Sequence, residues 1–261
     1  MNNDIKSTSL TIGWLYPELM STYGDKGNII VLEKRCRLRG IKTTIKRIST
    51  YSQEKELSEC DLLMMGGAQD TQQEIVAKDL VRKKGTLQKV IEENIPGLFV
   101  CGGFQYLGKY YLTSEKKKLE QLGILDIYTE NPGGRRLIGN IAVETQGFLG
   151  KKYMLFGFEN HGGRTILGKN IMPLGKVIKG FGSNDTAKEE GAIYKNTIGT
   201  YFHGPILPKN SALSDYLISK ALEVKYKKKF SLSFLNDTLE EKARQKIAEK
   251  LNINYPAKYS D

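Results

Sequence analysis

Short apolar runs alternate with longer amphipathic stretches in this chain, and no other feature limits its fold so much. Ser9–Leu15 (SLTIGWL) and Lys42–Ile48 (KTTIKRI) have the length and β-branched content of strands. Between them, residues 27–39 put Ile29, Ile30, Leu32, Cys36 and Leu38 at helical spacing. Residues 61–65 (DLLMM) read as a third strand closed by Gly66-Gly67, residues 72–93 as a charged helix, and residues 98–100 as a fourth strand running into Cys101-Gly102-Gly103. Strand–helix–strand repetition implies an α/β fold, with an open, mostly parallel sheet, helices on both faces and right-handed crossovers. In such sheets ligands collect at the carboxyl ends of the strands.

From about residue 123 the pattern changes to short β pieces at 138–144, 153–158, 176–181 and 192–200, separated by Gly and Asn turns. A closing helix is expected at 213–224 with Ser211 as its N-cap, and one amphipathic helix at 237–251. The division expected is one domain over residues 1–225 and a basic extension over 226–261, packed on the domain or trailing from it.

With 261 residues, 39% of them hydrophobic, the chain can bury a substantial core, which excludes a disordered protein. Cys36, Cys60 and Cys101 lie far apart without a CxxC, so they read as thiols of a reducing compartment and not as bridges or a metal site. The polar first residues do not resemble an export signal, and no run approaches the roughly 18–20 apolar residues of a membrane span. A cytoplasmic protein is the expectation. The net charge of +11 points to nucleic acid, an anionic membrane surface or an acidic protein as partner, with mere solubility as the competing explanation.

Cys101 ends an apolar strand and precedes two glycines, Phe104 and Gln105. The chain must turn sharply there from strand into helix, as in a nucleophile elbow, and a helix N-terminus favours the thiolate. Cys36 and Cys60 read as core residues. A thiol nucleophile needs a base, and the chain has only two histidines, His161 and His203. His203, just after a predicted strand (residues 200–205, TYFHGP), can project toward the edge that carries Cys101; His161 sits in a polar loop. Gly66-Gly67-Ala68-Gln69-Asp70 resembles a nest of backbone N–H groups for an oxyanion, to which Gly102 would add a second donor. Neither GxxxxGK[ST] nor GxGxxG occurs, which argues against nucleotide binding by this chain.

In order and spacing, GGAQD (66–70), CGGFQYLGKYY (101–111), LGILDIYTE (122–130), GFENHGGRT (157–165) and GTYFHGPILPKN (199–210) resemble the class I, triad-type glutamine amidotransferases. They are most similar to the cobyric-acid-synthase-like branch and, within it, to the GatD family of glutaminase subunits of lipid II isoglutaminyl synthases. The likeness starts at the YGDKGN segment at Tyr23. It implies a flavodoxin-like core. It also implies attack of Cys101 on the side-chain amide of glutamine, proton transfer by His203, oxyanion donors at Gly67 and Gly102, and a glutamyl thioester. Arg136 matches the family's glutamine-binding arginine, with Arg135 as an adjacent rival, and Gln105 matches a position that contacts bound glutamine. The ammonia would pass to a Mur-ligase-like partner of the MurT family. That partner would use ATP and Mg to amidate the D-glutamate α-carboxyl of lipid II to D-isoglutamine at the inner membrane face. No cofactor or metal is expected in this chain.

One position departs from the wider superfamily: Pro205 stands where a glutamate normally follows the histidine by two. A histidine base needs a third group to fix its tautomer. The expectation is a carboxylate supplied by the partner, with Glu159, Asp25 and Asp185 as rivals within the chain. Three other readings compete: an amidotransferase serving a cobalamin-type carboxylate, a basic nucleic-acid-binding protein using the run at 225–229 (KYKKK), and a catalytically inactive subunit on the same scaffold. No residues are left over for a synthetase domain, which favours a separate partner.

Overall fold

A computed structural model describes residues 8–255, apart from residues 22, 23, 69, 146 and 151. Tyr23 and Gln69 of the motifs quoted above therefore lie outside the described residues. Along the chain, β1 (Ser9–Leu15), α1 (Lys26–Leu38), β2 (Lys42–Ile48), α2 (Lys55–Ser58), β3 (Leu62–Met65), α3 (Asp70–Glu92), β4 (Gly97–Val100) and α4 (Gly102–Tyr106) alternate strand and helix. A run of short strands follows: β5 (Tyr110–Leu112), β6 (Lys118–Glu120), β7 (Ile127–Glu130), β8 (Leu137–Glu144), β9 (Met154–His161) and β10 (Arg164–Leu167). It continues through β11 (Gly175–Lys179), β12 (Glu189–Glu190), β13 (Ala192–Tyr194), β14 (Thr197–Thr200) and β15 (Phe202–His203). The last elements are α5 (Ile206–Lys209), α6 (Ser211–Tyr226) and α7 (Thr238–Leu251).

The central sheet has the order β13-β14-β4-β3-β1-β2. Its strands pair in parallel except for β13, which returns antiparallel on the edge. Leu10, Ile12, Trp14, Leu62 and Met64 face α1 and α6, while Leu15, Leu63, Met65 and Phe99 face α2 and α3. Helices on both faces leave no solvent side, which is why β3 and β4 are buried at every residue and read as unbroken apolar runs. The predicted strand at 192–200 is in fact a hairpin. Lys195 takes a left-handed φ of 54° and the chain reverses there, so only β14 joins β4.

Two smaller sheets account for the β pieces, β10-β7-β5-β6 and β12-β11-β8-β9-β15. β5, β6, β7 and β10 went unread in the sequence because each is only three or four residues long, too short for a period to show. The N-cap position of α6 belongs to Asn210, not Ser211, and the Asn210 side chain bonds instead to the backbone of Phe156 and Ile206.

The described part of the extension packs on the domain. Arg35 forms ion pairs with Asp215 and Asp237, and Arg39 with Asp215, tying α1 to α6 and to the start of α7. Arg244 of α7, 1% exposed, donates to the carbonyls of Lys209 and Met154 and to Asn210 Oδ1. Among the described residues no helix is long and apolar enough to cross a membrane.

Candidate active site

Three adjacent strands of the central sheet end side by side, and each carries one part of the site. β4 ends at Val100, whose register partner on β14 is Thr200, and the Cys101 N–H donates to the Thr200 carbonyl at 2.8 Å. β3 ends at Met65, opposite Phe99, so Gly66-Gly67 lies beside the cysteine. After Thr200 the chain leaves β14 and joins the third sheet, where His203 pairs with Phe158. Three residues beyond the shared edge, the imidazole thus returns over the cysteine.

Cys101 has φ 52° and ψ −109°, a backbone conformation that costs about 1–3 kcal/mol in a residue other than glycine. This is the strained strand-to-helix turn expected of a nucleophile elbow. A Cβ built on Gly67 would stand 3.1 Å from Cys101 Cβ and 3.1 Å from His203 Cε1, so thiol and imidazole flank this glycine, and a side chain there would press on both. The helix after the cysteine, α4, is only five residues long, too short to contribute much dipole. The stronger electrostatic partner of Cys101 is His203 itself. Burial of the ring, the largest influence, opposes its charge, but the Cys101 thiolate and the Asp25 carboxylate outweigh it and push the pKa up to about 10. The charged imidazolium is what this arrangement favours.

Among the in-chain carboxylates considered, Asp25 is the one beside the histidine. It is fully buried, with Oδ1 3.7 Å from His203 Nδ1, an ion-pair separation and not a hydrogen-bond length. It occupies the N-cap position of α1 yet does not cap its own helix; Oδ2 accepts the Gly67 N–H at 2.8 Å. Gly67, expected to offer its N–H to an oxyanion, donates it to Asp25 in this structure. Gly102, first residue of α4, keeps the expected position directly after the nucleophile. Pro205 abuts Gly27 in the first turn of α1, where any side chain at Gly27 would collide with the proline ring. The proline thus packs against the helix that delivers Asp25.

The other rivals are occupied. Glu159 accepts from the N–H groups of Phe181 and Gly182 at 2.8 and 2.9 Å. Asp185 is exposed and lies 3.7 Å from Arg164. His161 is buried, stacked on Tyr201 at 3.7 Å between ring centroids, and its Nδ1 bonds the Gly163 carbonyl at 2.7 Å. A ring so placed is a wall, not a mobile base.

Gln105 donates to the Tyr201 hydroxyl at 3.0 Å, and that hydroxyl meets Thr165 at 2.6 Å, which in turn meets Thr129 at 2.8 Å. Burial holds the Tyr201 hydroxyl well above its ordinary pKa, so it stays neutral and orients the amide. Sequence reasoning missed Tyr201, although it lies two residues before His203; a tyrosine at a strand end carries no catalytic signature. A cavity of about 770 Å³ opens beside Gly102 and Gln105 and extends past Asn131 under the β5–β6 hairpin. Asn131 and Arg136 both approach Gly162, which places Arg136 near the Asn131 end of that cavity. Arg136 is held by Asn160, Nε to Oδ1 at 2.9 Å and one terminal nitrogen to the carbonyl at 3.0 Å, leaving Nη1 for a ligand. Arg135 instead lies over the Phe181 ring at 4.9 Å. Among the described residues no group of three or more His, Cys, Asp or Glu side chains could hold a metal.

Comparison with known proteins agrees with this architecture. The model of the CobB/CobQ-like glutamine amidotransferase domain matches residues 11–211. Subunit GatD of the glutamine-hydrolysing lipid II isoglutaminyl synthase of Staphylococcus aureus is 44% identical over 83% of this chain and 86% of its own length. The GatD subunit of Streptococcus pneumoniae is 40% identical over 92% and 90%. A probable cobyric acid synthase of Methanosphaera stadtmanae is 34% identical, but over 61% of this chain and 33% of its own length. A crystal structure of a glutamine amidotransferase superposes with a TM-score of 0.52 at 17% identity, covering 80% of this chain and 98% of the other, which is a likeness of fold. With its elbow cysteine, its histidine three residues past the end of the neighbouring strand and these relatives, the chain belongs to the CobB/CobQ-like glutamine amidotransferase family, and it is an enzyme of the glutamine-hydrolysing type.

Proposed function

We propose that the chain is the glutaminase subunit of a lipid II isoglutaminyl synthase. The observation that carries the chemical part is the strained Cys101 facing a buried, charge-stabilised His203 across Gly67. The Cys101 thiolate attacks the side-chain amide carbon of glutamine, and the Gly102 N–H stabilises the oxyanion. His203 protonates the leaving nitrogen, so that ammonia departs and a glutamyl thioester remains. Water, deprotonated by His203, then attacks the thioester, releases glutamate and restores the Cys101 thiolate beside a protonated His203. Arg136 pairs with the α-carboxylate of glutamine, and Gln105, oriented by Tyr201, contacts the bound substrate.

The likeness to two GatD subunits over most of both lengths supports lipid II as the acceptor. The ammonia then passes to a Mur-ligase-like partner of the MurT type, which carries ATP and Mg and amidates the D-glutamate α-carboxyl at the inner face of the membrane. The cobyric acid synthases are the second reading, favoured only by the shorter and weaker match.

Copurification with a Mur-ligase-like partner, followed by assay of lipid II amidation with glutamine or ammonium salts, tests the proposal. Cys101→Ala abolishes glutamine-dependent amidation and leaves the ammonium-dependent reaction; unchanged glutamine hydrolysis in that variant overturns the assignment. The same assay decides the third catalytic group. A large rise in glutaminase turnover on assembly supports a carboxylate supplied by the partner, whereas equal turnover of the isolated chain leaves Asp25 as the third member.

A further inference from the structure

We propose that the edge of the molecule opposite the active site is a docking surface for anionic lipid headgroups. This deepens the proposed function, on which it rests for the membrane location, by naming the surface and its ligand chemistry. The site lies at the carboxyl ends of the strands; the amino ends form the opposite edge. There Tyr226, last residue of α6, bonds through its hydroxyl to the Ser9 backbone at the start of β1. Lys225 pairs with Asp61, just before β3. The segment that follows starts at this edge and packs back on α6, where the Ser219 hydroxyl donates to the Phe230 carbonyl at 3.3 Å.

That segment presents charge and apolar surface together. Lys227, Lys228 and Lys229 are exposed in succession, with Arg37 near the end of α1 and Lys42 at the start of β2 exposed on the same edge. Phe234 and Leu239 are each 78% exposed and Leu38 is 58% exposed. Contacts from the end of α1 tie together the segments that carry these three. Arg39, next to Leu38, donates to the Ser233 carbonyl, next to Phe234, at 2.8 Å. Arg35, one turn earlier, pairs with Asp237, two residues before Leu239. Three acidic groups of this region are paired within the fold, Asp61 with Lys225, and Asp215 and Asp237 with Arg35 and Arg39. An edge with exposed lysines around protruding aromatic and aliphatic side chains is complementary to a bilayer that is negative at its surface and apolar beneath. Docked in this way, the chain would turn its active-site edge away from the bilayer, open to a partner.

The experiment is cosedimentation of the full chain with phosphatidylcholine vesicles prepared with and without phosphatidylglycerol, with hydrolysis of free glutamine assayed on the same samples. The chain binds the vesicles that contain phosphatidylglycerol, releases them at high salt, and ignores pure phosphatidylcholine. The triple variant Lys227→Glu, Lys228→Glu, Lys229→Glu binds at least about a hundredfold more weakly, and Phe234→Ser with Leu239→Ser about tenfold more weakly. Both variants hydrolyse glutamine as the parent does. Absence of binding at low salt, equal binding by the triple variant, or tighter retention on RNA than on vesicles overturns the surface. Failure to dock with hydrolysis intact removes only this inference; a parent chain that docks but hydrolyses no glutamine, alone or with its partner, removes the enzymatic reading instead.

Discussion

The carboxylate of Asp25 stands 3.7 Å from the imidazole of His203, and with its other oxygen it holds the Gly67 N–H at 2.8 Å. One buried anion thereby touches both the base and the glycine that separates base from nucleophile. Asp25→Asn removes the charge while keeping the shape. The expected outcome is a loss of about a hundredfold in glutaminase kcat, with the alkaline limb of the pH–rate profile shifted to lower pH because His203 gives up its proton more easily. An unshifted profile would show that Asp25 does not act through His203.

The same pair makes folding stability depend on pH. His203 has a folded pKa of about 10 against an ordinary value of 6.5, so the folded chain holds a proton that the unfolded chain releases between these values. Its contribution is complete below pH 6.5 and is lost as the pH rises through about 10. Denaturant titrations across this window should give a falling stability in the parent and a flatter curve in Asp25→Asn and in Cys101→Ala.

A methyl group on Gly67 would lie 3.1 Å from both Cys101 and His203, so both must give way by a few tenths of an ångström. Gly67→Ala should keep its circular dichroism spectrum yet lose at least about a hundredfold in glutaminase activity, because the reacting groups are pushed apart. Retained activity would mean that thiol and imidazole need not be in the arrangement described.

The two adjacent arginines should separate cleanly in steady-state kinetics. Arg136→Ala removes a guanidinium held by Asn160 with Nη1 free, and should raise the KM for glutamine by about a hundredfold with a smaller effect on kcat. Arg136→Lys should not restore it, since an ammonium lacks the fork. Arg135→Ala, which loses only its stacking on Phe181, should stay within about threefold of the parent. Reversed effects would move the carboxylate site to Arg135.

Arg244 tests whether the extension belongs to the fold. It is 1% exposed, bonded to four backbone or side-chain acceptors, and 3.3 Å from Glu241. Arg244→Met strands those partners and should cost about 3 kcal/mol, or about 6–12 °C in Tm for a chain of this size. A Tm within a degree of the parent would make α7 an ornament.

Much of this was legible beforehand, and the reasons are local. β1 and β2 have their predicted bounds because seven-residue β-branched runs between turns have no good alternative. Cys101 was legible because an apolar run ending in cysteine and two glycines can only turn there. The hairpin at Lys195 was not, since a left-handed lysine leaves no mark in the sequence. Nor was the engagement of Gly67, because its partner Asp25 lies 42 residues away.

The sequence by itself determined the α/β class, the sharp turn at Cys101, the scarcity of histidines and the family, because each rests on neighbouring residues or on motif order. Tertiary structure decided which carboxylate faces His203, which arginine is free for a ligand, and that Tyr201 and His161 are walls. The physical reason is range: propensity and turn chemistry act over a few residues, whereas an ion pair or a stacked ring needs two distant segments brought together by the burial of the sheet between its helices.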